Sequence, residues 1–77
     1  KQLNLTEISL KKTATVSYIK DQSISMLDLL GHYQITIGTK IKIIKKFDFD
    51  GSVEIKIDKL PNAVLSNQVA INIYCVS

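Results

Sequence analysis

One histidine, one cysteine and seven carboxylates are the side chains of this sequence that could do chemistry. His32 and Cys75 stand far apart in the chain, and neither belongs to a nucleophile–base motif. A metal site needs several donors, so the lone His32 reads more simply as a surface or half-buried loop residue than as a ligand. Asp48 and Asp50 flank Phe49 just before Gly51. Their oxygens suit a hard cation such as Mg2+, Ca2+ or Mn2+. Asp before Gly is also what a tight hairpin turn selects, and we read the pair as turn residues. Cys75 falls on the apolar face of the last strand-like run, where a free cysteine acts as a small hydrophobe. Gly31, Gly38 and Gly51 each belong to a separate turn, so there is no glycine-rich phosphate loop. Together these residues argue against an enzyme.

A small fold has to position them. The 77 residues support one domain, spanning 1–77, which buries about 60% of its unfolded surface. The 45% apolar content argues against disorder, and the many isoleucines with no tryptophan favour strands. Ten lysines and no arginine give a net charge of +3. Arginine is the residue that reads guanine edges bidentately, so its absence speaks against base readout by this chain, and the lysines read as the solvated face of a sheet. A single cysteine excludes an intrachain disulfide and suits a reducing, cytoplasmic compartment. No apolar run approaches the about 20 residues that span a bilayer, and no signal peptide is visible. The chain opens on Lys1-Gln2-Leu3 rather than Met, and we read it as the C-terminal piece of a longer chain.

The strongest pattern is a β-hairpin over Gly38–Asp58. Ile41 and Ile43 alternate with Lys40 and Lys42, and Val53, Ile55 and Ile57 alternate with Ser52, Glu54, Lys56 and Asp58. A three-residue loop, Phe49-Asp50-Gly51, with Gly51 left-handed, would pair Phe47 with Val53 and Ile43 with Ile57 on the buried side, and Lys46 with Glu54 on the wet side. Lys45 then shares the buried face with Ile55, unless it snorkels at the rim or a bulge near Ile44 turns it outward. Before the hairpin, Leu3, Leu5, Ile8 and Leu10 form a lead-in that covers one end. Thr13–Ile19 reads as a strand with Ala14, Val16 and Tyr18 on one face and Thr15, Ser17 and Ile19 on the other. Ser25, with Asp28 three residues on, predicts the cap of a short helix of six or seven residues that ends at Gly31. After it, Gly38-Thr39 turns the chain into the hairpin. Beyond the hairpin come a turn at Lys59–Asn62, a return strand Ala63–Leu65, one helical turn Asn67–Ala70 capped by Ser66, and a closing strand Ile71–Val76. About five short strands with one short helix and one helical turn predict a mostly β fold, closed into a small barrel.

Read together, MLDLLGHYQITIGTKIKII, DFDGSVEIKID and VLSNQVAINIYCV resemble the SH3-like domain of the ferrous-iron-transport protein A (FeoA) type. That domain also forms the C-terminal third of metal-dependent repressors of the diphtheria-toxin-repressor class. The resemblance spans Leu5–Val76. Ile37 departs from the pattern, which often has Pro before that Gly, while the FDFDGSVEIKID hairpin looks like the repressor form.

The resemblance implies a regulatory module. In such repressors a winged helix-turn-helix reads DNA, a helical domain dimerises and binds Fe2+ or Mn2+, and the barrel packs beside them. In some members the barrel lends a carboxylate and an amide to an ancillary metal site from the connection after its first strand. Asp21 stands near that carboxylate position, whereas Gln22 is only adjacent to the spacing of the amide. The expectation is therefore a non-catalytic domain whose partners are the other domains of its own, homodimeric chain, with DNA bound through the parent only and no membrane contact. A free-standing cytosolic protein that assists a ferrous-iron transporter is the alternative. A barrel recognising proline-containing peptides needs an aromatic-lined groove, and Tyr18, Tyr33, Phe47, Phe49 and Tyr74 are scattered in sequence.

Overall fold

Alternation of β-branched and polar residues produces most of the sheet. The computed structural model describes residues 2–76. Its elements are β1 (Leu3–Asn4), β2 (Thr13–Ile19), α1 (Ile24–His32), β3 (Lys40–Lys46), β4 (Val53–Lys56), β5 (Ala63–Leu65), α2 (Asn67–Ala70) and β6 (Ile73–Val76). All strands join one antiparallel sheet in the order β1-β6-β2-β3-β4-β5. The principal extents, 29 × 27 × 25 Å, are nearly equal, as expected of a sheet curled around its core rather than a flat ribbon. This is the expected mostly β, SH3-like architecture. The sixth strand is β1, where the lead-in pairs Leu3 with Cys75.

The inner face holds Val16, Ile41, Ile43, Val53, Ile55, Leu65 and Ile73, and Leu5 of the lead-in and Leu30 of α1 are buried in the same core. Each such side chain stabilises the fold by about 1.5–3 kcal/mol through burial alone. Leu10, the last residue of the lead-in, stays exposed.

Two bulges correct the strand faces. Pairing between β2 and β6 shifts between Val16 and Tyr18, so Ser17 is the extra residue. Tyr18 therefore turns out to solvent and Ile19 turns into the core, the reverse of strict alternation. In β3 the shift falls between Ile43 and Lys45. The bulge at Ile44 is the one that turns Lys45 outward, with its ammonium 5.6 Å from the Phe47 ring centroid. The observed partners are Ile43↔Ile55, Lys45↔Glu54 and Lys46↔Val53, not Ile43 with Ile57, Lys46 with Glu54 and Phe47 with Val53. Phe47 pairs instead with Ser52, donating its N–H to the Ser52 carbonyl at 2.9 Å. Gly51 is left-handed as expected (φ 74°), in a loop that also takes in Asp48.

The helix is longer than its sequence signals suggest. Ser23, not Ser25, is the cap: its Oγ accepts from the Met26 N–H at 3.2 Å. Gly31 lies inside α1, and the left-handed residue that closes the helix is Gln34 (φ 61°). The Ile35 N–H donates to the Leu30 carbonyl at 2.9 Å, which completes a Schellman-type end with both side chains buried. The second helical turn is as expected, with Ser66 Oγ accepting from Val69 N–H at 3.2 Å. It runs on through Ile71 and Asn72, whose N–H groups bond back to Asn67 and Val69, so β6 starts at Ile73 rather than Ile71.

Candidate functional site

The connection after β2 carries the one carboxylate to which the resemblance gave a role. Lys20 N–H donates to the Asn72 carbonyl at 2.9 Å, which ties the start of this loop to the end of α2. Asp21 is exposed, and its Oδ1 accepts from the Ser23 N–H at 2.9 Å. Such an Asx turn sets Ser23 in the extended conformation (φ −61°, ψ 156°) from which it caps α1. Gln22 turns away, donating its Nε2 to the Ile19 carbonyl at 3.1 Å.

Across from this loop lies α2. Asp21, Ser23 and Met26 line one side of an open cavity of about 370 Å³, and Gln68, Val69 and Asn72 line the other. The fold thus brings two amide side chains, Gln68 and Asn72, to the groove that holds Asp21, and sequence reasoning missed both. They lie far along the chain, and the pairing of β2 with β6, Ile19 opposite Ile73, is what delivers them. No local spacing carries that information. The Asn72 Nδ2 donates to the Gln68 carbonyl at 2.8 Å, which orients the Asn72 side chain.

These residues do not form a complete metal centre. Among the described residues no three His, Cys, Asp or Glu side chains converge. Fe2+ and Mn2+ favour several anionic or imidazole donors, and Asp21 supplies one carboxylate, already partly engaged by Ser23. The groove can at most add a ligand to a site completed by other groups.

The other reactive residues stay apart. His32 is exposed at the end of α1, its ring edge-on to Tyr33 at 5.2 Å. Asp50 Oδ1 accepts from the N–H of Ser52 at 3.0 Å and from its Oγ at 2.7 Å, and these two hydrogen bonds hold its carboxyl below the usual value of 3.8. Cys75 is buried in β6, and loss of solvent pushes its thiol up to about 11, so it remains a protonated hydrophobe at neutral pH. Tyr18 and Tyr74 meet across β2 and β6 with ring centroids 6.0 Å apart. Among the described residues no helix is long and apolar enough to cross a membrane.

A curled antiparallel sheet with one short helix after its first long strand defines a small SH3-like barrel. The chain belongs to the FeoA domain family, which matches residues 3–77. No curated protein matches it by sequence. Among solved structures, a manganese-dependent transcriptional repressor superposes with a TM-score of 0.89 at 24% identity, over 99% of this chain and 41% of that one. The T. acidophilum protein IdeR gives 0.84 at 21% identity, over 97% of this chain and 33% of that one. The iron uptake regulatory protein FeoA gives 0.82 at 15% identity, over 97% and 95%. The chain therefore spans well under half of each of the two larger proteins and nearly all of the FeoA protein.

Proposed function

We propose that this domain is the non-catalytic regulatory module of an Fe2+- or Mn2+-dependent transcriptional repressor, cytoplasmic and packed beside the DNA-binding and dimerisation domains of a homodimeric parent. The observation that carries the reading is the superposition on the manganese-dependent repressor, higher in both TM-score and identity than that on the FeoA protein. The module acts by making different contacts in the DNA-competent and incompetent states, since only a differential interaction shifts such an equilibrium. Asp21, with Gln68 or Asn72 beside it, contributes to a metal site shared with another domain. The alternative, a free-standing protein that assists a ferrous-iron transporter, is supported by the FeoA domain match over residues 3–77.

The reading frame through Lys1 decides between them. A helix-turn-helix encoded upstream in the same frame supports the repressor, and a short frame beside a large membrane GTPase supports the alternative. The role of Asp21 is tested by calorimetry with Mn2+ on that full-length repressor and its Asp21→Ala variant. We expect one class of sites to weaken about 10-fold or more in the variant; equal heats would remove Asp21 from the metal site.

A further inference from the structure

The side of β3 and β4 away from the core carries a second surface. Lys40 and Lys42 alternate with the fully buried Ile41 and Ile43, so both ammonium groups leave from the outer face. Lys42 stands directly opposite Lys56 in the β3–β4 register. Like charges in directly opposed positions repel, whereas an acidic residue at either one would make a favourable pair. Lys56 Nζ donates to the Leu60 carbonyl at 2.8 Å, which holds that ammonium above the turn following β4. The acid on the same strand, Glu54, is opposite Lys45 instead, and its Oε2 accepts from Asn62 Nδ2 at 3.0 Å. The three lysines line an open groove of about 690 Å³ that also exposes part of Ile57 and Leu60, with Asp58 among its lining residues.

We propose that this groove binds an acidic segment of a protein partner, whose carboxylates meet Lys40, Lys42 and Lys56 while an apolar side chain rests on Ile57 and Leu60. Charge complementarity selects an anionic occupant. The partly exposed Ile57 and Leu60 favour a peptide, which can set an apolar side chain between its carboxylates, over a phosphate backbone with its unbroken run of negative charge. The inference stands on the groove itself and does not depend on the regulatory reading above.

The test is fluorescence anisotropy with a fluorescein-labelled synthetic peptide in which leucines are interspersed among glutamates. Its glutamine counterpart and a labelled oligothymidylate serve as the uncharged and phosphate arms. The glutamate peptide is expected to bind, to weaken as salt rises from about 0.01 to about 0.15 M, and to lose about fivefold or more in affinity with Lys42→Glu. The same variant is expected to unfold at a higher urea concentration than the parent, because it replaces a repulsive pair by an attractive one. Weaker binding by a more stable protein separates recognition from misfolding. Lack of binding, affinity unchanged by Lys42→Glu or by salt, or tighter binding of oligothymidylate through the same lysines would each overturn the proposal.

Discussion

The β3–β4 hairpin and α1 are both short, yet different forces hold them. The hairpin puts four side chains at the centre of the core: Ile41 and Ile43 are 0% exposed, Val53 and Ile55 1%. In α1 only Met26 and Leu30 are buried, while Ile24 is 89% exposed and Leu27 47%. The hairpin is thus set by burial. The helix, too short to be stable alone, depends on two anchors and on the hydrogen bonds at its ends. Core truncation should therefore hurt most in the hairpin, and loss of a cap should register mainly in α1.

The largest expected effect is that of Ile43→Ala. Removing a fully buried branched side chain at the centre of the sheet should cost about 2–5 kcal/mol, read as a lower urea midpoint with little change in slope. For a domain of this size that is a large share of the whole, since total stability runs at roughly 0.05–0.15 kcal/mol per residue. A loss below about 1 kcal/mol would mean that β3 is not the centre of the core and would break the contrast with α1.

Smaller and more local is the effect of the cap. Ser23→Ala removes the acceptor for Met26 N–H and should cost about 1 kcal/mol, whereas Ser25→Ala should stay within about 0.5 kcal/mol. Hydrogen exchange should show faster opening of α1 in the Ser23 variant, with β3 and β4 amides following only the global change. The reverse ranking of the two serines would move the helix start to the position that the capping-box pattern favours.

That pattern illustrates what was legible in the chain. Ser25 and Asp28 have capping-box spacing, but Asp21 and Ser23 form their own local turn first, and the helix begins two residues earlier. Strand existence was readable because burial imposes a period of two, and Gly51 and Ser66 were readable because their roles are local. Register was not, since one extra residue at Ser17 or Ile44 shifts every partner beyond it without disturbing composition. For the site, Asp21 came from a family resemblance, while Gln68 and Asn72 reach the same groove only through pairing between strands at opposite ends of the sequence. Long-range placement of that kind leaves no trace in local spacing.

The smallest expected effect is electrostatic and lies at the hairpin tip. Asp50 is held below its ordinary value of 3.8, chiefly by the hydroxyl of Ser52 and then by the Ser52 N–H. A folded value below the unfolded one means that the ionised carboxylate favours the native state. That contribution is complete above the unfolded value and fades as pH falls through the folded one. An NMR titration of the Asp50 side-chain carboxyl should therefore give a midpoint below 3.8 in the native domain. Ser52→Ala should raise that midpoint, since it removes the larger of the two hydrogen bonds while leaving the backbone donor in place. Asp50→Asn should lower the urea midpoint slightly at neutral pH, and its difference from the parent should vanish in acid. A native midpoint at or above 3.8, or one insensitive to Ser52→Ala, would show that the tip is organised by Gly51 and Asn67 alone. Their bond, Asn67 Nδ2 donating to the Gly51 carbonyl at 3.2 Å, does not involve a titrating group.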